Sequence, residues 1–360
     1  MEQEKKMTRM AVTLGLVSLT WASWAAELSV LEKDGVTTRS LTGDIVQETT
    51  REVVVANDKG EEERIPAFLI ESIKYDGQPP ELASARSFAT QGRYDEALAS
   101  MMTILDQIDA KESANLDASL RFEILVLKTK KGLKSGGDLP AALEWYQGQQ
   151  EFLSTSRHYY PSLEWGGRIK LAQRDFTGAS ELFEKLASVD WPGYRERSQR
   201  YLAQVTLEQG KGDEAARLFE DILASTSSGN AVDWEKSLAR IGRAKALVLV
   251  GKADEAVSLC QQALNDSSLA DRPEALAPLR NTLGDALEAL GKKKESVLEG
   301  YMWVHVLYSS EEMEHARSLF HLTKLLPEIG YPQYGEQMAQ ILQSKFGQTE
   351  WGRKLEMPSS

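Results

Sequence analysis

The chain has 360 residues, 42% of them hydrophobic, enough to bury a substantial core as one long array or as two domains. Its formal charge is −12, from 54 acidic and 42 basic residues. That balance argues against nucleic acid as a partner, which calls for a basic excess or patch, and it offers no attraction to anionic lipid headgroups.

The first segment does not read as part of the fold. Lys5, Lys6 and Arg9 precede a short apolar run, AVTLGLVSLTW, and Ser23-Trp24-Ala25 supplies small residues for cleavage after Ala25. Residues 1–25 are therefore expected to be a signal peptide, and the protein is expected in the periplasm or cell envelope. The run is short for a spanning helix, which needs about 20 residues, so no integral membrane segment is expected in the mature chain. An uncleaved anchor is the alternative. The single cysteine, Cys260, cannot form an internal disulfide, and no cysteine follows the signal to accept a lipid.

Residues 26–77 have a β texture. LSVLEKDGV, LTGDIVQE, REVVVANDKGEE, RIPAFLI and SIKYDG are short β-prone pieces between turn formers. Lys33-Asp34-Gly35 and Asn57-Asp58-Lys59-Gly60 suit hairpin turns, because Gly and Asn tolerate positive φ. Val53-Val54-Val55 and Ile45-Val46 supply β-branched strand centres. Four or five strands curled into a small barrel are expected. The order of these motifs, with Ile65-Pro66 and then Ile70, Ile73 and Tyr75, resembles the SH3-like modules that precede helical repeats in some bacterial envelope proteins. Gly77-Gln78-Pro79-Pro80 ends the segment as a stiff linker.

From residue 78 to about 350 the strand signals give way to self-similarity. GRYDEALASMMTIL at 92 returns as GKGDEAARLFEDIL at 210 and GKADEAVSLCQQAL at 251. Aligned on the turn between paired helices, the anchors are Gly92, Gly137, Arg174, Gly210, Gly251, Gly291 and Gly330, spaced 36 to 45 residues apart. Five residues after each stands a small one: Ala97, Ala142, Ala179, Ala215, Ala256, Ser296 and Gly335. Seven before stand Ala85, Lys130, Gly167, Ala203, Ala244, Gly284 and Thr323, mostly small. Two antiparallel helices joined by a tight turn approach closely only where small residues face the crossing. Nine after the anchors, Met101, Tyr146, Phe183, Phe219 and Cys260 fill the space beyond. Pro80, Pro161 and Pro278 are expected near the starts of first helices, and Asp95, Asp213 and Asp254 in the first turns of second helices.

This pattern resembles the tetratricopeptide repeat (TPR) family over roughly 270 residues. The resemblance implies a mostly α fold: a right-handed TPR-like solenoid of about seven helix pairs behind the small β-barrel-like domain, with 351–360 as a C-terminal tail. The repeats exceed the family's length of about 34 residues, which implies longer helices or loops. Lys130 replaces a small residue in the second unit, and Pro327 and Pro332 bracket the last turn, marking an atypical cap.

No catalytic constellation emerges, and the chain is read as a non-enzyme without a cofactor or metal. His158, His305, His315 and His321 are the only histidines, and none makes a helical metal-binding pair. Cys260 holds the aromatic position of its repeat, as a buried thiol would. Gly210-Lys211, Gly251-Lys252 and Gly291-Lys292 lack the rest of a phosphate loop. The pairs Asp95-Glu96, Asp213-Glu214 and Asp254-Glu255 read as helix N-terminal charges. Asp190-Trp191 and Asp233-Trp234 read as N-caps with an aromatic wedge.

One pattern points to binding. In the TPR family the concave groove is lined by first-helix residues, including the one six before the turn glycine. Here that position holds Arg86, Lys131, Arg168, Gln204, Lys245, Asp285 and Lys324, five of them basic in an acidic chain. Neighbouring groove positions add Arg197 and Arg200, while Asn281 and Glu288 join Asp285 on the opposite sign. A concave row of cations suits an acidic segment or C-terminal carboxylate. The competing reading is local pairing, since Glu164 lies one turn before Arg168. The expected function is thus a non-catalytic scaffold of the cell envelope, with Arg86, Lys131, Arg168, Arg200, Gln204, Lys245 and Lys324 toward a protein or peptide partner. The alternatives are a cell-wall or carbohydrate binder, using Trp145, Tyr159, Tyr160 and Trp165, and a non-catalytic subunit of an envelope enzyme complex.

Overall fold

A computed structural model describes residues 26–32, 37–135 and 138–356. The signal segment 1–25, the Lys33-Asp34-Gly35 turn and the anchor Gly137 lie outside the described residues.

Five antiparallel strands come first: β1 (Ala26–Leu31), β2 (Thr38–Glu48), β3 (Glu52–Ala56), β4 (Glu62–Pro66) and β5 (Ile70–Lys74), with a 3-10 turn (Ala67–Leu69) before β5. Their order is β4-β3-β2-β1-β5. Strand β2 is long enough to serve two ladders, pairing with β1 through its first half and with β3 through its second. At the bend Gly43 lies against β3, where a Cβ would stand 2.4 Å from the Ala56 carbonyl oxygen. The expected small β module is thus a five-stranded antiparallel sheet, folded over at β2 and ending in β4 and β5. The second predicted turn forms as expected. Gly60 takes φ +76°, and the Asn57 side chain accepts hydrogen bonds from the Lys59 and Glu61 amides.

Seven helix pairs follow. The first four are α1 (Glu81–Thr90) with α2 (Tyr94–Gln107), α3 (Ala114–Ser135) with α4 (Leu139–Gly148), α6 (Tyr159–Ala172) with α7 (Phe176–Leu186), and α8 (Tyr194–Glu208) with α9 (Gly212–Ala224). A single turn, α5 (Gln150–Leu153), separates the second pair from the third. The rest are α10 (Asn230–Leu249) with α11 (Ala253–Leu264), α12 (Pro273–Ala289) with a run of α13 (Lys293–Glu295), a π turn (Ser296–Tyr301) and α14 (Met302–Leu307), and α15 (Glu312–Glu328) with α16 (Pro332–Phe346). Residues 351–356, expected as tail, belong instead to α17 (Glu350–Glu356), whose Trp351 and Leu355 pack on the last pair.

The six described anchors share one joint. Gly92, Gly210, Gly251, Gly291 and Gly330 all have φ between +74° and +95°, and Arg174 takes the same left-handed conformation at +63°. At each, the anchor amide and the next one bond back to carbonyls three and five residues earlier, as Gly92 to Ala89 and Arg93 to Phe88. This satisfies the open carbonyls of the first helix and turns the chain into the second. Ala97, Ala142, Ala179, Ala215, Ala256 and Ser296 are completely buried at the crossings.

The small first-helix residues also seat rings. A Cβ on Gly167 would meet the Phe183 ring at 2.4 Å, one on Gly242 the Phe219 ring at 2.4 Å, and one on Gly284 the Tyr301 ring at 2.8 Å. In the second unit Lys130 is exposed, and the buried small residues are Thr129 and Gly132. Two expectations about helix starts change. Helix α12 begins at Pro273, leaving Pro278 inside it. Asp190 precedes α8 by several residues, and Asp233 sits in the first turn of α10, so neither is an N-cap. Trp191 is nonetheless a wedge: its ring packs on Tyr160, Tyr194 and Phe68, the last from the sheet domain.

Candidate functional site

The first helices α6, α8, α10, α12 and α15 carry charged residues that meet one another from helix to helix. At the centre is Glu235 of α10, with 1% of its side chain exposed. It accepts from Arg197 Nε at 2.8 Å and Arg200 Nε at 2.6 Å, both on α8. Glu164 of α6 accepts from Arg197 at 3.2 Å and from the Tyr201 hydroxyl at 2.7 Å. Burial alone would raise the Glu164 carboxyl, but Arg197 and then Arg168 reverse the shift and hold it below the usual range. Further along, Arg317 of α15 pairs with Asp285 of α12, and Tyr301 donates to Asp285 and Glu288 at 2.7 and 3.0 Å. Glu314 lies 3.9 Å from Lys245 and accepts from Asn281 at 2.7 Å. Burial pushes the Glu314 carboxyl up, and Lys245 and Arg317 bring it below its ordinary value.

The seven predicted residues do not form one row. Arg86 is turned to the sheet domain and makes two hydrogen bonds to Glu123. Lys131 bridges Asp95 and Asp138 beside a turn, in a cavity between α2–α3 and the end of α16. Lys324 is exposed over the Phe320 ring. The other four converge. Arg168, Arg200 and Gln204 line an inner cavity of about 690 Å³, and Arg200, Gln204 and Lys245 line an adjoining one of about 150 Å³. Arg168 stacks on Trp165 and lies 4.0 Å from Glu164, so local pairing is present but loose.

The larger cavity also receives residues that the repeat offset does not single out. Lys134, Arg174 and Arg353 add cations, while Glu208 and Glu350 are the acids on its wall. Lys134 reaches Glu312 at 2.7 Å, so the start of the seventh pair comes back across the opening to the second. Only the curvature of the array brings these helices together. The Lys130 ammonium beside this region is held below its ordinary value, by partial desolvation and then by the charge of Arg168.

The remaining polar residues are absorbed by packing. His158 accepts or donates to Ser119 Oγ at 2.9 Å in a buried contact, and burial keeps its imidazole neutral. His305 and His315 face each other at 3.0 Å, and His321 bonds Glu288. Cys260 is buried, its thiol pushed up to about 12 by burial and then by Asp285. Among the described residues no group of three or more His, Cys, Asp or Glu is arranged to hold a metal ion, and no helix is long and apolar enough to cross a membrane.

No protein-family profile matches the chain, and no curated protein does. Solved structures do. A tetratricopeptide repeat protein from Parabacteroides merdae ATCC 43184 aligns with a TM-score of 0.51 at 14% identity, over 76% of this chain and 96% of that one. A Rap protein complexed with Competence and Sporulation Factor aligns with a TM-score of 0.51 at 14% identity, over 76% of this chain and 77% of its own. The helical array has the TPR-like fold.

Proposed function

We propose that the protein is a non-catalytic interaction scaffold of the bacterial cell envelope, holding an acidic segment of a partner protein in the inner cavity between α6, α8 and the start of α15. The observation that carries this reading is the charge of that wall. In a chain of net charge −12, Lys134, Arg168, Arg174, Arg200 and Arg353 face one cavity against Glu208 and Glu350. A concave, partly desolvated wall strengthens such an excess, and guanidinium groups bind carboxylates in pairs of hydrogen bonds. The Rap protein complexed with Competence and Sporulation Factor supplies a precedent for a bound factor on a similar fold. The envelope location rests on residues 1–25 as a signal peptide, and the N-terminal sheet, with its 3-10 turn before the last strand, is read as SH3-like.

A carbohydrate-binding role draws less support. Tyr160 is buried, Trp145 donates its indole N–H to the Arg121 carbonyl, and Trp165 lies under Arg168.

The test is binding of a fluorescent oligoglutamate peptide, alongside capture of partners from an envelope extract. Arg168→Glu with Lys245→Glu is expected to weaken the peptide by at least about tenfold, equivalent to 1.4 kcal/mol, and to abolish capture while the helical circular dichroism is retained. Unchanged binding and capture by this folded variant would sink the proposal.

A further inference from the structure

Among the described residues strand β5 is an edge: it pairs with β1 on one side and with no strand on the other. Along that free side runs a second cavity, of about 560 Å³, in the seam between the sheet domain and the solenoid. Ile70, Glu71, Ser72 and Ile73 all line it. Successive strand residues point to opposite faces, so a cavity touching four in a row follows the strand's edge rather than one of its faces. The facing wall is aromatic, built from Phe122, Trp191 and Tyr194 of the helical array.

Both cations that reach this cavity have a carboxylate beside them, and its carboxylate Glu71 has a hydroxyl partner. Arg86 is held by both oxygens of Glu123, at 2.7 and 3.0 Å. Arg157 faces Glu48 at 3.7 Å, and the Glu71 carboxylate accepts from Ser29 at 3.0 Å. An anionic ligand would lose its hydration here without gaining a free counter-charge. The strand edge itself still offers peptide groups. The other edge, β4, differs: its Glu62, Glu63 and Arg64 are exposed in sequence, a common way of blocking edge pairing.

We propose that the seam cavity is a strand-addition site, in which an extended, uncharged segment of a partner protein pairs with the free edge of β5. Backbone hydrogen bonds to β5 hold the segment, and one apolar side chain packs against the wall of Phe122, Trp191 and Tyr194. The pairing is short, because the β1–β5 register shifts at Ser29/Val30 and such a bulge bends the strand. This site is separate from the inner cavity, and its partner is recognised by backbone shape instead of charge.

The probes are blocked heptapeptides of alternating Thr and Val carrying Leu, Ile, Phe or Met at the centre, together with N-methylated copies and copies with two central glutamates. At least one neutral peptide is expected to bind the full chain below about 1 mM, with N-methylation or the glutamates weakening it by about tenfold or more. Deuterium exchange should slow at residues 71–73. Ser72→Trp, which fills the groove from an exposed position, should abolish binding with the circular dichroism unchanged, and Arg168→Glu should leave it intact. Failure of every neutral peptide at that concentration overturns the proposal, as does indifference to N-methylation or protection appearing elsewhere. A concentration-dependent dimer that Ser72→Trp dissolves would also overturn it, assigning the edge to a second copy of the chain. None of these failures touches the inner cavity, which is read out by the acidic peptide.

Discussion

The seam and the inner face both bury carboxylates beside guanidinium groups, and they do so with opposite results. On the inner face, Glu235 receives two guanidinium N–H groups at hydrogen-bonding distance, and Glu164 and Glu314 are held below the ordinary carboxyl range. At the seam, the Glu48 side chain is buried and Arg157 stops 3.7 Å away, with Glu48 Oε1 and Arg157 Nε each lacking a hydrogen bond. Burial therefore raises the Glu48 carboxyl, and the charge of Arg157 with the Tyr75 hydroxyl only partly offsets it. A buried ion pair helps when its hydrogen bonds are complete and does little when they are not. Around Glu235 the inner face is thus braced by charge, whereas at the seam the Glu48–Arg157 pair is incomplete and Phe68 packs on Trp191.

The largest expected effect comes from removing the central brace. Glu235→Ala takes the carboxylate from the largely buried Arg200 and leaves Arg197 with Glu164 alone, and chemical denaturation should register a loss of about 3–5 kcal/mol. A loss below about 1 kcal/mol would erase the contrast between the two regions.

At the seam, Glu48→Gln keeps an acceptor for Tyr75 and removes a charge that burial disfavours, so at pH 7 it should cost about 1 kcal/mol or less. The pH dependence sharpens this. A carboxyl raised in the folded state binds its proton there first, so Glu48 adds stability as pH falls from its folded pKa toward 4.5. The depressed carboxyls Glu164 and Glu314 behave oppositely, contributing fully above 4.5 and losing that contribution as pH falls through their folded pKa values. His158, His305 and His315 are lowered too, so they oppose folding once pH drops below 6.5 in both proteins. The difference in denaturation midpoint between wild type and Glu48→Gln, followed from pH 7 to pH 5, isolates Glu48. It should move in favour of the wild type as pH falls, and a flat difference contradicts the assignment.

An effect of similar size separates stability from binding within the inner face. Arg174 is the one described anchor that is not glycine, and a left-handed conformation costs a side-chain-bearing residue about 1–2 kcal/mol. Arg174→Gly should raise stability by about 1 kcal/mol while removing a cation from the inner cavity and weakening the acidic peptide. A variant that becomes both more stable and a better binder would argue against a cationic role for that wall.

Much of the architecture was legible because it is local. Gly92, Gly210 and Gly251 announce left-handed turns, and Ala97, Ala215 and Ala256 announce crossings, since each helix pair solves the same packing problem with the same residues. The sheet was legible as short β-prone pieces between turn formers, though not in its strand order, because which strands pair depends on contacts distant in the chain. The binding row was legible only in part. A fixed offset from the turn marks first-helix positions, yet it says nothing of how strongly the array curves.

The sequence alone determined the repeat, its joints and the small residues at each crossing, because those follow from contacts within one helix pair. Tertiary structure decided the rest. It sent Arg86 to the sheet domain and Lys131 to a turn, gathered Arg168, Arg200, Gln204 and Lys245 around two adjoining cavities, and brought Lys134 to Glu312. Small rotations between successive pairs accumulate along a solenoid, so which residues meet across it is a property of the whole array and of no single repeat.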